Sequence, residues 1–358
     1  MSVERIADDL RALMAVPGLS GHEDRVRRAI AERLDREHRT DRLGNLVATV
    51  EGDPSLPSVM VFAHMDQLGF VVRRIEGGFV RLERLGGVPE RALAGQLVLF
   101  QIGKGRDRHG VVANKSHHAT LPDEKYRVVP YRELYVDTGL DDAEAVRAAG
   151  IEVGTPVVYA PRTIGLSDTR IAGPAVDDRA GCAVLLEVSR RLATHEGGPT
   201  VHIVFSTQEE FNLRGVVPMA RALAPDIAIQ IDLALTGDTP DMGDVTDVRL
   251  GGGPVMSLYS FHGRGTLNGL IPHPALPPLA ARAAEDAGVP LQRSAQTGIL
   301  TETSYVQLEG EGIACIDLAF PCRYTHSALE VCDVKDLAGL ADVIVATLAA
   351  IEPNTLER

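Results

Sequence analysis

VHIVFSTQEEFNLRG, residues 201–215, decides how this chain reads. Residues 202–205 are a short, apolar, β-branched run of the kind that forms a buried strand in an α/β sheet. The run ends in Ser206, Thr207 and Gln208, followed by two adjacent acids, Glu209 and Glu210. Open α/β sheets bind their ligands beyond the carboxyl ends of the strands, so these acids stand where chemistry is expected. Taken alone, two solvated acids opening a loop or helix are the commoner explanation. The company they keep elsewhere in the sequence shifts the balance.

The 358 residues, 38.4 kDa, exceed an ordinary single core, which makes two domains the natural expectation. A 45% hydrophobic and 24% charged composition is that of a globular enzyme rather than a disordered chain. Lys+Arg 36 against Asp+Glu 49 gives a net charge of −13, with no basic stripe, so nucleic acid is not an expected partner. The N-terminus carries acids in an amphipathic pattern and no secretory apolar core, and no run is long enough to span a membrane. These features point to a cytoplasmic protein. Cys182, Cys315, Cys322 and Cys332 lie at scattered spacings without a CxxC, and read as reduced, buried thiols.

Along the chain, residues 3–15 have helical periodicity, and Ser20-Gly21-His22-Glu23 reads as a cap before a second helix carrying Val26, Ile30 and Leu34. Strands are expected at 46–50 and 59–63, the second ending in His64-Met65-Asp66. Between about 69 and 161 the pattern becomes short β-prone segments (70–75, 79–82, 96–102, 156–159) with frequent glycines and one helix at 141–149. GKGRDRHG at 103–110 lacks the spacing of a phosphate loop and reads as a hairpin turn. From 171 the α/β rhythm returns: a helix from Asp177 to Leu192, the strand at 201–206, a helix at 217–224, a strand at 227–231 ending in Asp232, a helix at 276–287, a strand at 313–320, and a closing helix at 334–351. Gly251-Gly252-Gly253-Pro254 is a turn, too weak a signal for a nucleotide site. The resulting expectation is an α/β fold whose central mixed sheet, flanked by helices, is interrupted by an inserted, small β-barrel-like domain: residues 1–69 and 163–358 as the catalytic domain, 70–162 as the insert.

His64, Asp177, Glu210, Asp232 and His326 all fall just after expected strands or at the head of the helix from 178. Two histidines and three carboxylates suit one or two borderline divalent cations, zinc first, cobalt or manganese next. An odd, central carboxylate can bridge two of them. Each residue alone has a plainer explanation as a core, capping or turn residue.

The motifs AHMDQLGF (63–70), GPAVDDRAG (173–181), STQEEFNLRG (206–215), IQIDLALTGDTP (229–240) and RYTHSALEV (323–331) closely resemble those of the tetrahedral, or TET, aminopeptidases. This is a family of dinuclear metallo-aminopeptidases also labelled glutamyl aminopeptidases and endoglucanases, and the resemblance runs from PGLSGHE to the last helix. It implies a catalytic α/β domain interrupted by a β-barrel-like domain that takes part in dimerisation. It also implies short peptides as substrates, two divalent metal ions per subunit, and dimers that assemble into a dodecamer. Carried over by position, Asp177 is the bridging carboxylate, His64 and Asp232 complete one metal site, and Glu210 and His326 the other. Glu209 is the general base acting on a metal-activated water, and Asp66 the acid that orients His64. The residues themselves agree on Glu209: neighbouring strand residues point to opposite faces, so both acids reach one site only if the backbone turns as it leaves the strand.

The sequence departs from the family's usual form at Gln67, where Glu is common, at Glu302, where Asp is usual, at His117 (beside the usual His118), and in the loop 260–272. Related folds also carry deacylases and carboxypeptidases, so an amidohydrolase acting on N-acyl amino acids or peptides is the alternative. A glycosidase is disfavoured, because aromatics are 4% with no Trp and the acids cluster with histidines.

Overall fold

A computed structural model describes residues 2–193, 197–262 and 269–357. The run before the two acids is the strand Val201–Ser206, parallel to Val59–His64 with Ser206 opposite His64. On the other side of Val59–His64 lies Ile227–Leu235, and beyond it Ala314–Cys322, both again parallel. Four carboxyl ends therefore open onto one rim. These strands are buried on both faces, which is why their sequences read as unbroken apolar runs rather than alternating ones.

The full sheet is mixed and has nine strands among the described residues. Leu46–Val50 and His38–Thr40 extend it antiparallel at one edge; at the other, Val255–Phe261 pairs antiparallel with Ala314–Cys322 and is flanked by Gly269–Leu270, antiparallel, and Gln292–Thr297, parallel. Helices Ser2–Met14, Leu276–Asp286, Val176–Leu192 and Val334–Ala349 cover one face. Val217–Leu223 and Val306 cover the other.

Gly69–Glu76, Phe79–Leu85, Val136–Asp137, Arg108–Val112, Leu97–Phe100 and Pro156–Tyr159 close into a six-stranded antiparallel barrel with its own core of Phe70, Val80, Val98, Phe100, Val136 and Val157. The 103–110 stretch spans the turn between two antiparallel strands of this barrel, Leu97–Phe100 and Arg108–Val112. The triple glycine is also a turn, and its Gly251 and Gly253 amides donate to the Asp336 carboxylate (2.7 and 2.8 Å). No helix is long and apolar enough to cross a membrane among the described residues, and all four cysteines are buried and unpaired.

Three expectations change. Val255–Phe261 and Gln292–Thr297 are strands to which the sequence pattern assigns no element. Their serines and glutamines break the apolar pattern, and the first follows directly on the glycine turn. Ile227–Leu235 runs four residues further than expected, so Asp232 sits within the strand. In the second helix, Asp24–Ala31, Leu34 lies past the end, and Ser20 caps nothing there. Of the departing loop 260–272, residues 263–268 lie outside the described residues, while Ser260 and Phe261 belong to a strand.

Leu185, wholly buried in the long helix against the sheet, tests this packing. Leu185→Ala is expected to lower unfolding stability by about 2–5 kcal/mol, read as a reduced denaturant midpoint with the folded spectrum retained.

Candidate active site

The six residues singled out for chemistry converge. Their side chains form two triads at the rim: His64, Glu209 and Asp232, and Asp177, Glu210 and His326, the donor atoms of each lying within 4.8 Å of one another. Asp177 joins them. Its Oδ1 lies 3.0 Å from His64 Nε2 and its Oδ2 3.4 Å from His326 Nε2. The sequence reading set Glu209 apart from the ligands, whereas here its Oε2 is 3.8 Å from His64 Nε2, inside the first triad.

Backbone geometry explains how adjacent acids reach different triads. Gln208 takes φ +56°, in the left-handed region, and breaks the strand just before them. The turn is held by Asp66, whose two carboxylate oxygens accept the Glu209 and Glu210 amides (3.0 Å each). Ser20 donates its hydroxyl to Asp66 (2.5 Å), which is what this residue does instead of capping a helix. His64 Nδ1 lies 3.2 Å from the Asp66 carbonyl and 3.4 Å from its Oδ1, leaving Nε2 facing the triads.

A second buried acid, Glu330, repeats the device. It accepts the Asp177 amide (3.1 Å) and the His326 amide (2.6 Å). Sequence reasoning missed Glu330, although an acid between Leu329 and Val331-Cys332 was the visible signal. It missed two other supports as well. Asp178 accepts the His64 amide (3.2 Å) and the Gly181 amide (2.9 Å), capping the helix that the sequence reading began at Asp177; Asp177 and Asp178 themselves are not helical. Gln230 donates to Asp232 (3.1 Å) while accepting from the Thr303 amide (2.9 Å).

The departures find places too. Glu302 accepts from Ser206 Oγ (2.6 Å) and the Val216 amide (3.0 Å), so its longer side chain anchors the end of the strand that carries the acids. Gln67 is buried, with its side-chain oxygen 3.5 Å from the wholly buried Arg179. His117 and His118 stack edge-on in an exposed turn, and neither lines the site cavity.

That cavity holds about 490 Å³ and is walled by Asp177, Glu209, Glu210, Asp232 and His326, with Leu233 and Ile299, a size suited to a small ligand. A larger groove of about 780 Å³ beside Arg221 and Glu311 contains neither triad. The barrel closes the cavity's other side at Gly87 and Pro89. Gly87 is required there: a Cβ would stand 2.8 Å from His326 Nδ1, and its carbonyl lies 3.0 Å from that nitrogen.

Charge in the site is out of balance. Burial pushes the Glu209 and Asp232 carboxyls well above the usual range, and Glu210 up to about 7. Burial also opposes charge on Asp177, but hydrogen bonds from His326 and His64 outweigh it and hold this carboxyl below its ordinary value. Both imidazoles are raised well above theirs; burial works against this, and the surrounding carboxylates overcome it. Glu210 Oε1 is buried with no hydrogen-bond partner. Oxygen and imidazole donors crowded this way, short of positive charge and with an orphaned oxygen, fit divalent cations.

A barrel set into an α/β sheet, with two carboxylate–histidine triads at its parallel strand ends, defines a hydrolase of the metallopeptidase class. The M42 glutamyl aminopeptidase family matches residues 44–343. The SgcX protein of Escherichia coli is 40% identical over 347 residues, covering 95% of this chain and 92% of its own. Among solved structures, aminopeptidase APDkam598 from Desulfurococcus kamchatkensis superposes with a TM-score of 0.91 at 31% identity, over 99% of this chain and 97% of that one. The TET1 peptidase of Pyrococcus horikoshii, described as assembling into a tetrahedron or a large octahedral shell, gives 0.84 at 26% identity, over 96% and 99%. This chain belongs to the M42 family and is an aminopeptidase.

If Asp66 orients His64 toward a cation, Asp66→Asn should weaken zinc binding about 10–100-fold, measured by equilibrium dialysis on protein whose circular dichroism is unchanged.

Proposed function

We propose that this enzyme hydrolyses the N-terminal peptide bond of short peptides with two divalent cations, zinc first and cobalt or manganese next, and with Glu209 as general base. His64, Asp232 and Asp177 would hold one cation, Glu210, His326 and Asp177 the other. When bound, such cations polarise the scissile carbonyl, acidify water and offset the repulsion among these carboxylates. Glu209 then takes a proton from the attacking water as its oxygen bonds to the carbonyl carbon. It returns that proton to the amine nitrogen as the C–N bond breaks.

One observation carries this reading. Glu209 and Glu210, adjacent in sequence, are turned by Asp66 into different triads, and only Glu210 lies 3.9 Å from His326 while Glu209 faces His64. Burial raises the Glu209 carboxyl, as suits a base that must later act as an acid. Asp66 is assigned the orienting role on His64.

The assembly belongs to the same proposal: dimers formed through the barrel, insert residues 70–162, and a dodecamer built from them. Supporting this, Tyr126 is 96% exposed and Leu121 and Val128 over half exposed on the barrel's long 113–135 segment, a concentration of apolar surface that suits an interface. The unpaired, buried cysteines support a cytoplasmic location.

Purified protein should cleave an aminoacyl anilide, lose that activity to a chelator and regain it with zinc or cobalt, while the N-acetylated form of the same substrate stays intact. Glu209→Gln should lower kcat about 10²–10⁴-fold with both cations retained by elemental analysis. Full activity in that variant would overturn the base assignment, and loss of one cation would make Glu209 a ligand. Light scattering should give a mass about twelve times the 38.4 kDa of one chain, reduced when Tyr126→Ser and Val128→Ser are combined.

A further inference from the structure

Beside Asp232 the sheet carries a buried polar patch that the hydrolytic chemistry does not use. Val255–Phe261 pairs with Ala314–Cys322 so that Ser257 stands opposite Asp317. It pairs with Gln292–Thr297 so that Ser294 stands opposite Ser257 and Gln296 opposite Ser260. Directly opposed residues on neighbouring strands share a face of the sheet, so these five polar side chains gather in one place. Asp317 is fully met there, accepting the Thr301 and Thr303 hydroxyls at 2.8 and 2.7 Å.

Gln296 and Ser260 are not met. They are 7% and 4% exposed, yet the Gln296 amide oxygen and nitrogen and the Ser260 hydroxyl have no hydrogen-bond partner among the described residues. Buried polar groups are nearly always paired, so three such atoms side by side ask what pairs them. They line a recess of about 20 Å³. Asp232, Leu233 and Ile299 wall both this recess and the catalytic cavity. The recess therefore adjoins that cavity.

We infer that Ser260 and Gln296 terminate the pocket for the substrate's N-terminal side chain, and that the preferred side chain has an apolar stem and a neutral, hydrogen-bonding head, with glutamine the best complement. This deepens, and rests on, the aminopeptidase reading above. Two carboxamides pair donor to acceptor at both ends, and the Ser260 hydroxyl serves either. Leu233 and Ile299 supply the wall for the stem. Among the described residues no lysine or arginine lines either cavity to receive a carboxylate, and the Asp317 oxygens are already engaged by the threonines. An apolar side chain of equal length would leave the Gln296 amide buried and unmet, which is how sites built for a hydrogen-bonding substrate reject its apolar analogue.

The test compares kcat/KM of the metal-reconstituted full chain on four X-Ala dipeptides, X being Gln, Met, Glu and Lys. Wild-type protein is expected to prefer Gln over Met by about tenfold or more. Gln296→Met should lower that Gln:Met ratio at least about tenfold, and Ser260→Ala should lower it by a smaller factor, serving also if the first variant folds poorly. The proposal is overturned if Gln296→Met scales all four substrates alike, or if wild-type protein ranks Met, Glu or Lys above Gln; the recess would then hold a buried water only. Cleavage of none of the four by wild-type protein would sink the aminopeptidase reading itself, a result distinct from a wrong ranking.

Discussion

Asp66 is a carboxylate sealed from solvent, and the arrangement of the site depends on what its oxygens accept. A strand that simply continued would send Glu209 and Glu210 to opposite faces of the sheet. Two amide hydrogen bonds to one carboxylate, with a left-handed Gln208 just before them, bend the chain so that both acids enter the cavity. Burying an anion is costly unless it is richly hydrogen-bonded. Asp66 meets that condition with two amides, the Ser20 hydroxyl and the imidazole of His64, and these bonds hold its carboxyl below the ordinary range against the burial that would raise it. Glu330 does for Asp177 and His326 what Asp66 does for the adjacent acids, so buried acids behind the site fix the backbone under the acids within it.

The same economy shows in the backbone. Seven described residues other than glycine have positive φ, and six of them, Ala175, Gln208, Asn212, Leu213, Tyr324 and His326, lie in the segments that bring the donors together. Such conformations cost on the order of 1–3 kcal/mol each and persist where the surroundings over-determine them. The barrel supplies part of that surrounding. Its Gly87 comes close enough to His326 to exclude any side chain and faces the imidazole with its carbonyl, so the insert contributes a wall to the catalytic cavity as well as a surface of its own.

Much of this was legible before any coordinates. The apolar runs at 59–63, 201–206 and 313–320 are sheet strands because burial on both faces demands unbroken hydrophobicity. The change of texture after 69 marked the barrel because short, glycine-punctuated segments cannot sustain helices. What stayed hidden were elements whose reason is not local. Gln292–Thr297 carries no strand signal, since its buried serine and glutamine face other polar side chains rather than a hydrophobic core. Ser20 looks like a helix cap until Asp66 is beside it, and Glu330 looks like one more surface acid until Asp177 and His326 hang from it.

The sequence alone picked out the candidate residues of the site and the central parallel strands of the sheet, because residue type and hydrophobic period are local properties. It could not decide how five candidate ligands spread from His64 to His326 meet, nor that neighbouring acids join different triads. Those outcomes rest on carboxylate–amide bonds that span 143, 144 and 153 residues of chain. Such a bond exists only once the parallel strands have brought their carboxyl ends to one rim. The direction in which a side chain points there is set by the backbone that the distant partner holds.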